Sequence, residues 1–437
     1  MSSAAMDAYN RCLNKMYGLR RFGIKLELAT IKNILRGLGN PQKKFKSIHI
    51  AGTNGKGSVA SALASILHEA GYRVGLYTSP HLIRFNERIR IENKQITNNA
   101  VVGAHRAVDR VHSGSREPTF FEFATAMALY EFGRRKVDWA VIETGMGGRF
   151  DATNVITPAL SIITNVSLEH REYLGNTLSR IAGEKAGIIK KNAPVVTAVR
   201  QQQAFSVIQE TAKEKCAPLY RLGREFKVKR HRTAGFSYFG IENKWQNLHT
   251  GLSGDHQITN AALVLAAIEL LNKKFADISL IHIQKGLANM SWPGRLEIVC
   301  RDPLVILDGA HNLIAARNLA RYLATHLSDR KITMVIGILD DKPYGAMLRS
   351  LLPVSSRTIL TRAKIDRALD PEKLKSVAKD LVADITIIPD VSRATKYAVD
   401  NARDNEAICI AGSLYVVGEA MAAFEKGLVP SIKRSSG

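Results

Sequence analysis

Short apolar runs alternate with segments of helical periodicity along most of the chain. The apolar runs predict buried strands, and the clearest helix between them has apolar residues at three- and four-residue intervals from Val59 to Ala70, with Gly71 as its stop. This alternation is typical of an α/β protein with a largely parallel sheet. The strands predicted in this part of the chain are Lys46–Ala51, Arg73–Tyr77, Asp138–Glu143 and Ala159–Thr164.

A proline–glycine pair within residues 290–295 interrupts the pattern, after a clear apolar helix over Asn260–Leu271. A second series of strands and helix-length segments follows and predicts a smaller, Rossmann-like domain. We therefore expect one domain over residues 1–295, another over 296–427, and a polar, disordered tail over 428–437. The strands predicted after the break are Leu304–Leu307, Ile332–Ile338, Arg357–Leu360, Asp384–Ile388 and Ala407–Ala411.

Composition agrees with this organisation, since 437 residues suggest two or three domains, and 46% hydrophobic with 23% charged residues is ordinary for a soluble globular protein. No stretch approaches the roughly 18 uninterrupted apolar residues of a membrane-spanning helix. The N-terminus lacks the pattern of a secretory signal. The cysteines are scattered, without a CxxC pair or histidines at zinc spacing, so we expect reduced thiols and a cytoplasmic protein.

The chain is strongly basic, with 62 Lys and Arg against 39 Asp and Glu, a formal net charge of +23. Such a surplus attracts polyanions, whether nucleic acids, nucleotides or polycarboxylates. The densest basic run, Lys227–Arg232, alternates as a strand does, so we expect most of it to form a solvated face. The basic residues lack interleaved aromatics, and no nucleic-acid-binding module is recognisable, so direct nucleic-acid binding is not expected.

The glycine-rich loop Gly52–Ser58 lies between a buried strand and a helix, where a phosphate site is expected. Glycines let successive N–H groups point at phosphate oxygens, and the helix N-terminus adds partial positive charge. Lys56 supplies a cation for the β- and γ-phosphates and Ser58 a hydroxyl for magnesium. The spacing departs from the general P-loop because Gly57 separates Lys56 from Ser58. A plain glycine turn is the alternative interpretation.

The apolar strand that ends at Glu143 precedes a second glycine-rich segment. A strand-end carboxylate beside a phosphate-binding loop commonly holds magnesium, directly or through water. Glu143 could instead be a surface carboxylate, but the carboxyl end of a strand places it at the crevice of the sheet.

Nine motifs now stand in the order seen in folylpolyglutamate synthases and dihydrofolate synthases of the Mur ligase superfamily, and the chain resembles that family from about Tyr17 to Glu425. The resemblance implies a Mur ligase domain of the P-loop ATPase type followed by a Rossmann-like glutamate-ligase domain. The motifs are Ala51–Ser58, Tyr77–Leu82, Thr119–Glu122, Glu143–Asn154, Leu168–His170, Gly183–Ile189, Trp292–Glu297, Leu307–Asn312 and Ala411–Tyr415.

The activity implied by the resemblance is an ATP-dependent ligation. ATP phosphorylates the carboxylate of a dihydropteroate or folate, and the amine of L-glutamate attacks the resulting acyl phosphate to give an amide. The product is dihydrofolate, a folylpolyglutamate or both. Such a reaction brings negative groups together, so it needs cations rather than a covalent nucleophile.

The metal ligands implied by the resemblance are Ser79, Glu143 and His170 for one magnesium and Ser58 for an ion bound with the nucleotide, two Mg²⁺ in all; K⁺ is a further candidate. Imidazole is an unusual ligand for magnesium, so His170 could be a hydrogen-bonded loop residue instead. Lys185 matches the lysine that the family carries as a carbamate; from the residues alone, it reads as half of an exposed charge pair with the preceding glutamate. Lys56, Glu143, His170 and Lys185 form the implied catalytic set.

The remaining site residues also follow from the resemblance. The implied ATP contacts are Asn54, Gly55, Lys56, Gly57, Ser58, Asn260, Arg295 and Asp308, although Arg295 could be an interdomain salt bridge and Asp308 a turn-former. The implied pterin contacts are Thr119, Phe120, Phe121, Glu122, Phe150, Asp151 and Ala152, although paired phenylalanines are more often core. Two further residues, His311 and Ser413, resemble positions near the incoming glutamate.

Two residues depart from the family pattern beside His170. Glu169 stands where an aspartate is usual, and Arg171 where a smaller or neutral residue is common. Neither change removes an implied ligand.

The alternatives to this function are a peptidoglycan-precursor ligase of the same superfamily and, from another class, a nucleic-acid-dependent P-loop ATPase. The expected partners are small molecules (ATP, L-glutamate and dihydropteroate or reduced folates), with a monomeric chain.

Overall fold

The computed structural model describes residues 3–19, 23, 27–112, 116–231 and 235–429, with side chains from Met6 on. Within these ranges the chain forms two compact α/β units. The first runs to Gly251 and includes Gln257–Ser291, and the second combines Leu252–His256 with the residues from Trp292 on. The predicted tail over 428–437 lies outside the described residues, apart from its first two positions.

The helices in the described residues are α1 (Ser3–Gly18), α2 (Ala29–Gly37), α3 (Lys56–Glu69), α4 (Asn98–Val111), α5 (Phe120–Arg134), α6 (Arg171–Leu174), α7 (Leu178–Ala186), α8 (Gln202–Glu214), α9 (Asp255–Asn272), α10 (Leu280–Asn289), α11 (Leu313–His326), α12 (Tyr344–Leu351), α13 (Pro371–Ala378), α14 (Val391–Asp400) and α15 (Leu414–Glu425). The strands are β1 (Lys46–Ala51), β2 (Val74–Tyr77), β3 (Ile89–Ile91), β4 (Lys94–Gln95), β5 (Trp139–Glu143), β6 (Leu160–Ile163), β7 (Val195–Thr197), β8 (Leu219–Arg221), β9 (Lys227–Arg230), β10 (Phe236–Phe239), β11 (Lys244–Leu248), β12 (Glu297–Arg301), β13 (Leu304–Leu307), β14 (Lys331–Ile336), β15 (Arg357–Arg362), β16 (Ile385–Asp390) and β17 (Glu406–Ala411). No helix among them is long and apolar enough to cross a membrane.

The main sheet of the first unit has the strand order β4-β3-β2-β5-β1-β6-β7-β8. All strands from β2 to β8 in this order are parallel, and only β3 and β4 pair antiparallel. The four strands predicted here from apolar runs are confirmed, because a parallel sheet covered on both faces buries every side chain of its central strands. The carboxyl ends of β2, β5, β1 and β6 therefore lie side by side at one edge of the sheet.

Helices cover this sheet through two apolar clusters. In one, residues of α1, α2, α4 and α5 pack together with Tyr77, Ala140 and Ile142 of the central strands. In the other, α7 and α8 pack with the ends of β1, β6 and β7. Helix α3, which follows the glycine loop, is buried from Ser58 to Leu67 and packs against α10.

A small antiparallel sheet of order β11-β10-β9 also belongs to the first unit. The basic run predicted as a strand is confirmed over β9, whereas Arg232 lies outside the described residues. Glu269 of α9 holds this sheet, since its carboxylate accepts the hydroxyl of Tyr238 at 2.6 Å and the N–H of Asn243 at 2.7 Å.

The second unit contains a sheet of order β12-β13-β17-β14-β15-β16. Only β12 is antiparallel; the other strands form a parallel sheet with intervening helices, as in a Rossmann-like fold. All five strands predicted after the break are present, and the predicted α/β class is confirmed.

Candidate active site

The glycine loop leaves β1 at the carboxyl edge of the sheet and enters α3. Gly55 has φ of 84°, a conformation that favours glycine, and a Cβ there would lie 2.5 Å from Oδ1 of Asn260. Lys56 begins α3, and its Nζ donates to the carbonyl oxygens of Gly52 at 2.9 Å and Thr53 at 3.2 Å. The ammonium group is therefore folded back over the loop, and the predicted nucleotide residue Asn260 lies against it.

The end of β6 braces the same loop from the neighbouring strand. The side chain of Asn165 accepts the N–H of Asn54 at 2.9 Å and donates to the carbonyl of Asn54 at 2.9 Å. The hydroxyl of Thr164 donates to that carbonyl at 2.7 Å. Neither bracing residue was predicted. A Thr–Asn pair directly after a buried strand was the available signal, but the neighbour relation of β1 and β6 is needed to interpret it.

Glu143 is buried at the carboxyl end of β5, next to β1. Its Oε2 accepts the N–H of Ser79, at the end of β2, at 3.0 Å. The interpretation as a surface carboxylate is thus wrong, since the group is 4% exposed. The carboxylate of Glu143 and the hydroxyl of Ser79 are two hard oxygen donors, and they belong to residues that are in contact at this edge.

Lys185 is fully buried on α7, and its Nζ lies 2.7 Å from Oε1 of Glu169. The alternative of an exposed charge pair is therefore wrong. Burial lowers the pKa of Lys185, and the nearby ammonium of Lys56 lowers it further, although Glu169 opposes this. Burial raises the pKa of Glu169, but the charges of Lys185 and Lys56 outweigh it and bring the pKa to about 2. Glu169, which stands where an aspartate is usual, is thus the partner of the buried lysine.

His170 follows Glu169 in a left-handed conformation with φ of 45° and is exposed. Its carbonyl accepts the N–H groups of Tyr173 and Leu174, both at 2.9 Å, which starts helix α6. Its charge contributes to the low pKa of Glu169, so the imidazole lies in the same electrostatic neighbourhood as Lys185. Among the described residues, no three His, Cys, Asp or Glu side chains form a metal-sized cluster.

The second glycine-rich segment is held by Asp151, which is 7% exposed. Its carboxylate accepts the N–H of Met146 at 2.8 Å and contacts the hydroxyl of Thr153. Burial raises the pKa of Asp151, and these hydrogen bonds counteract the rise. A Cβ at Gly148 would lie 2.8 Å from the carbonyl of Glu184, so this segment packs directly on α7 and fixes Lys185 relative to Glu143.

The predicted pterin residues fall into two groups. Thr119 and Glu122 cap α5 reciprocally, and Glu122 also accepts a hydrogen bond from Arg116 at 2.8 Å, so their polar groups already stabilise the helix. Phe120 and Phe121 are half-buried. The ring of Phe120 stacks on Tyr17 with centroids 5.7 Å apart, with the Arg88 guanidinium 5.1 Å above it.

The other predicted pterin residues lie near the second glycine segment. Phe121 lies 2.5 Å from where a Cβ of Gly145 would be, so it packs on the segment that follows Glu143. Ala152 is buried, whereas 41% of the Phe150 side chain is exposed. Aromatic surface is thus available at Phe120, Phe121 and Phe150 rather than sealed in the core.

The predicted residues Arg295, Asp308, His311 and Ser413 all belong to the second unit. Asp308 directly follows β13, is buried, and accepts the N–H groups of Leu296 at 3.0 Å and of Ala310 at 2.9 Å. Burial raises its pKa, and Arg295 opposes the rise. These two hydrogen bonds are those of a turn-forming residue, the alternative interpretation of Asp308. Arg295 lies against Gly309, the next residue along the chain.

His311 and Ser413 follow adjacent strands of this sheet, β13 and β17. The Nδ1 of His311 lies 2.8 Å from the carbonyl oxygen of Gly309. Ser413 is buried and caps α15 by accepting the N–H of Val416 at 3.1 Å. The strand order thus brings both residues to one edge of the second sheet.

Comparison with known proteins finds matches over most of the chain. Residues 50–268 match the family described as Mur ligase middle domain, and residues 294–414 match Mur ligase, glutamate ligase domain. A dihydrofolate synthase/folylpolyglutamate synthase of Bacillus subtilis is 38% identical over 430 residues, covering 94% of this chain and 98% of its own. The corresponding Escherichia coli protein is 31% identical, covering 94% of each chain.

Solved structures are similar over nearly their full length. A folylpolyglutamate synthase from Thermotoga maritima superposes with a TM-score of 0.86 at 36% identity, covering 97% of this chain and 98% of that one. A bifunctional folylpolyglutamate synthase/dihydrofolate synthase from Yersinia pestis, complexed with AMPPNP and Mn ion, gives a TM-score of 0.86 at 30% identity, covering 95% of this chain and 98% of that one. With the predicted fold class and family confirmed, this chain belongs to the folylpolyglutamate synthase/dihydrofolate synthase family of ATP-dependent Mur ligases.

Proposed function

We propose that this enzyme ligates L-glutamate both to dihydropteroate and to reduced folates, through an acyl phosphate. The observation that carries the proposal is the carboxyl edge of the first sheet. Neighbouring strands lead there to the glycine loop, Ser79, Glu143 and Glu169, and Glu169 pairs with the buried Lys185 of α7. This edge collects the N–H groups of the glycine loop, an ammonium and carboxylates. Such a set suits phosphoryl transfer between two anionic substrates.

In the first step, an oxygen of the substrate carboxylate attacks the γ-phosphorus of ATP, and ADP leaves. The N–H groups of the loop and the N-terminus of α3 bind the phosphates. Lys56 is positioned by its bonds to Gly52 and Thr53 and moves onto the β- and γ-phosphates when they displace those carbonyls. The glutamate amine then attacks the acyl carbon, the amide forms, and phosphate leaves with loss of the amine proton.

The donor set fits a divalent metal, for which we propose Mg²⁺. Ser58, Ser79 and Glu143 offer oxygen ligands of the kind that magnesium prefers. We add His170 as a further ligand; its charge acts on Glu169, the partner of Lys185. When bound, such ions neutralise the charge that develops on the transferred phosphoryl group. We propose two Mg²⁺ ions, and K⁺ as a further ion of the site.

As an ammonium, Lys185 cannot ligate a cation. We propose that it reacts as the neutral amine with carbon dioxide, giving a carbamate and a proton. Burial favours the neutral amine, and the anionic carbamate would add an oxygen donor to the proposed metal site. Glu169 would then need a cation as its new partner, which a metal ion supplies.

We assign the flat pterin ring to the aromatic surface of Phe120, Phe121 and Phe150, and glutamate to His311 and Ser413 of the second unit. Asn260 contacts the glycine loop from α9, which supports our assignment of this residue to the nucleotide. We assign Arg295 and Asp308 to the nucleotide as well. The proposal includes a monomeric, cytoplasmic chain that acts on small molecules without nucleic acid. Relatives that cover more than nine-tenths of both chains are folate enzymes, which favours this branch over peptidoglycan-precursor ligases.

Dual activity is tested by giving the enzyme ATP, L-glutamate and either dihydropteroate or tetrahydrofolate, and identifying products by mass spectrometry. We expect one added glutamate on dihydropteroate and one or more on tetrahydrofolate. Product from only one acceptor would reduce the proposal to a single activity. Product from a peptidoglycan precursor, but from neither pterin, would replace it.

A further inference from the structure

Three buried polar side chains form a hydrogen-bond network between β1 and the second glycine-rich segment, residues 145–148. His49 lies in β1, and its Nε2 is 2.8 Å from the hydroxyl oxygen of Thr153. That hydroxyl in turn contacts the carboxylate of Asp151. His49 and Thr153 are both fully buried, so neither touches a substrate directly. Any effect of these two residues on the reaction therefore passes through Asp151.

The hydrogen bonds of Asp151 determine the direction of this network. Its carboxylate accepts the N–H groups of Met146 at 2.8 Å and of Thr153 at 3.0 Å, and such donors stabilise the anion. Thr153 therefore donates its single hydroxyl proton to Asp151, and its hydroxyl oxygen is left to accept a proton from His49. The imidazole must then carry its proton on Nε2.

The other ring nitrogen of His49 agrees with this tautomer. Burial and the charge of Lys190 lower the pKa of His49 to about 3, so at neutral pH the ring has a single N–H group. In the described part of the chain, Nδ1 is buried and has no hydrogen-bond partner. A proton on Nδ1 would therefore bury an N–H group without an acceptor, which is rare in native proteins.

The network ends at two parts of the aromatic surface to which we assigned the pterin. Asp151 binds the N–H of Met146 in the glycine-rich segment, and Phe150 directly precedes Asp151. In the same segment, a Cβ at Gly145 would lie 2.5 Å from the ring of Phe121. A displaced Asp151 would therefore shift both Phe150 and the segment on which Phe121 packs.

We propose that His49 is a positioning residue for the pterin-bearing substrate, acting through Thr153 and Asp151 on this aromatic surface. The inference rests on the proposed function, which assigns the pterin ring to that surface. It makes the affinity for the acceptor, rather than for ATP, depend on an N–H donor buried in β1. A structural role alone would not produce this selectivity, because β1 leads directly into the glycine loop and a disturbed strand should also weaken ATP binding.

Steady-state kinetics with dihydropteroate, ATP and L-glutamate test the network through two pairs of variants. Thr153→Val removes the hydroxyl and should raise the KM for dihydropteroate about tenfold, because a hydrogen bond to a buried carboxylate is lost. His49→Met removes the N–H donor and should raise it about fivefold, the effect of one neutral hydrogen bond. Thr153→Ser keeps the hydroxyl, and His49→Gln places an amide nitrogen near the position of Nε2. Both should therefore keep a KM close to the wild-type value.

The KM for ATP should stay at the wild-type value in all four variants. The matched control is Thr395→Val, which removes the hydroxyl of another fully buried threonine, on α14 of the second unit, and should change neither KM. The double variant His49→Met/Thr153→Val should be no more impaired than Thr153→Val alone, because both substitutions interrupt the same network.

A binding measurement separates this inference from the proposed function. Dihydropteroate is titrated by calorimetry into enzyme saturated with ADP, and Thr153→Val should bind it about tenfold more weakly than wild type or Thr153→Ser. The inference is overturned if the KM for ATP rises in parallel, if His49→Gln is as impaired as His49→Met, or if the effects in the double variant add. The proposed function fails separately if wild-type enzyme adds glutamate to neither acceptor.

Discussion

At the scale of single residues, Lys185 best shows the limits of the sequence. Its sequence neighbours suggest an exposed charge pair, and only the family resemblance singles it out. The fold buries it because α7 packs into the cluster with β6 and β7, and Glu169 of the preceding loop meets its Nζ at 2.7 Å. A pairing sixteen positions apart, with helix α6 between the two residues, has no periodicity from which it could be predicted.

Replacing Lys185 by Ala should lower kcat about 100-fold or more, the usual effect of removing an electrostatic group from a phosphoryl-transfer site. The single variant also leaves Glu169 buried without its partner, which is strongly destabilising. The control is therefore Lys185→Ala/Glu169→Gln, which should fold better than the single variant without recovering activity.

The carbamate itself is checked by ¹³C NMR of enzyme equilibrated with labelled bicarbonate. Wild-type enzyme and Lys190→Ala, which changes another partly buried lysine, should both show the carbamate signal. Lys185→Ala should lack it. Near-normal turnover of Lys185→Ala would refute the catalytic role.

Asn165 is a residue that the sequence did not identify, although it forms two hydrogen bonds with the glycine loop. Asn165→Ala should raise the KM for ATP about tenfold, since each lost hydrogen bond contributes on the order of 1 kcal/mol to the ordered loop. Steady-state kinetics against ATP measures this. Asn289→Ala, an exposed asparagine paired with Glu69, is the control and should leave that KM at the wild-type value. An equal KM in both variants would show that the loop does not depend on β6.

At the scale of elements, the central parallel strands were predictable, whereas only β9 of the small antiparallel sheet was. Strand β1 has five consecutive buried residues, so its apolar run matches its span. Strand β11, Lys244–Leu248, has only one fully buried residue, and its stability comes from pairing with β10 and from Glu269. Short, half-exposed strands carry no apolar run, and their partners are determined by contacts distant in sequence.

Strand β1 also carries a buried histidine with a consequence for acid stability. His49 contacts the hydroxyl of Thr153 at 2.8 Å, and burial, assisted by the charge of Lys190, lowers its pKa from 6.5 to about 3. Between these values the unfolded chain binds a proton that the folded chain does not. Stability therefore falls as pH falls from about 6.5 towards 3, by about 1.4 kcal/mol per pH unit for this one group.

This is checked by urea unfolding of wild type and His49→Gln at pH 7, 6 and 5. Glutamine does not titrate. On acidification, the free energy of unfolding of the variant should therefore fall less than that of wild type, and the difference should be close to the contribution of one proton. His231→Gln, on a partly exposed histidine of the small sheet, should retain the wild-type slope. Identical slopes for wild type and His49→Gln would contradict the assigned burial.

At the scale of the whole molecule, each of the two units contributes polar residues at the carboxyl edge of its own parallel sheet. Fold class, glycine loop and family could be predicted because they depend on buried strands and short local motifs. The buried lysine pair and the bracing by β6 could not, because they depend on which strands and helices are neighbours in space. The net charge of +23 gives the nucleic-acid alternative its only support.

The central claim is that ATP cleavage is coupled to formation of a glutamyl amide. The most direct test measures phosphate release with ATP and magnesium alone, with each acceptor or L-glutamate omitted in turn, with all components, and with added RNA or DNA. Phosphate release should be rapid only when a pteroate or folate and L-glutamate are both present, and nucleic acid should have no effect. ATP turnover that is indifferent to both substrates, or that nucleic acid stimulates, would contradict the account.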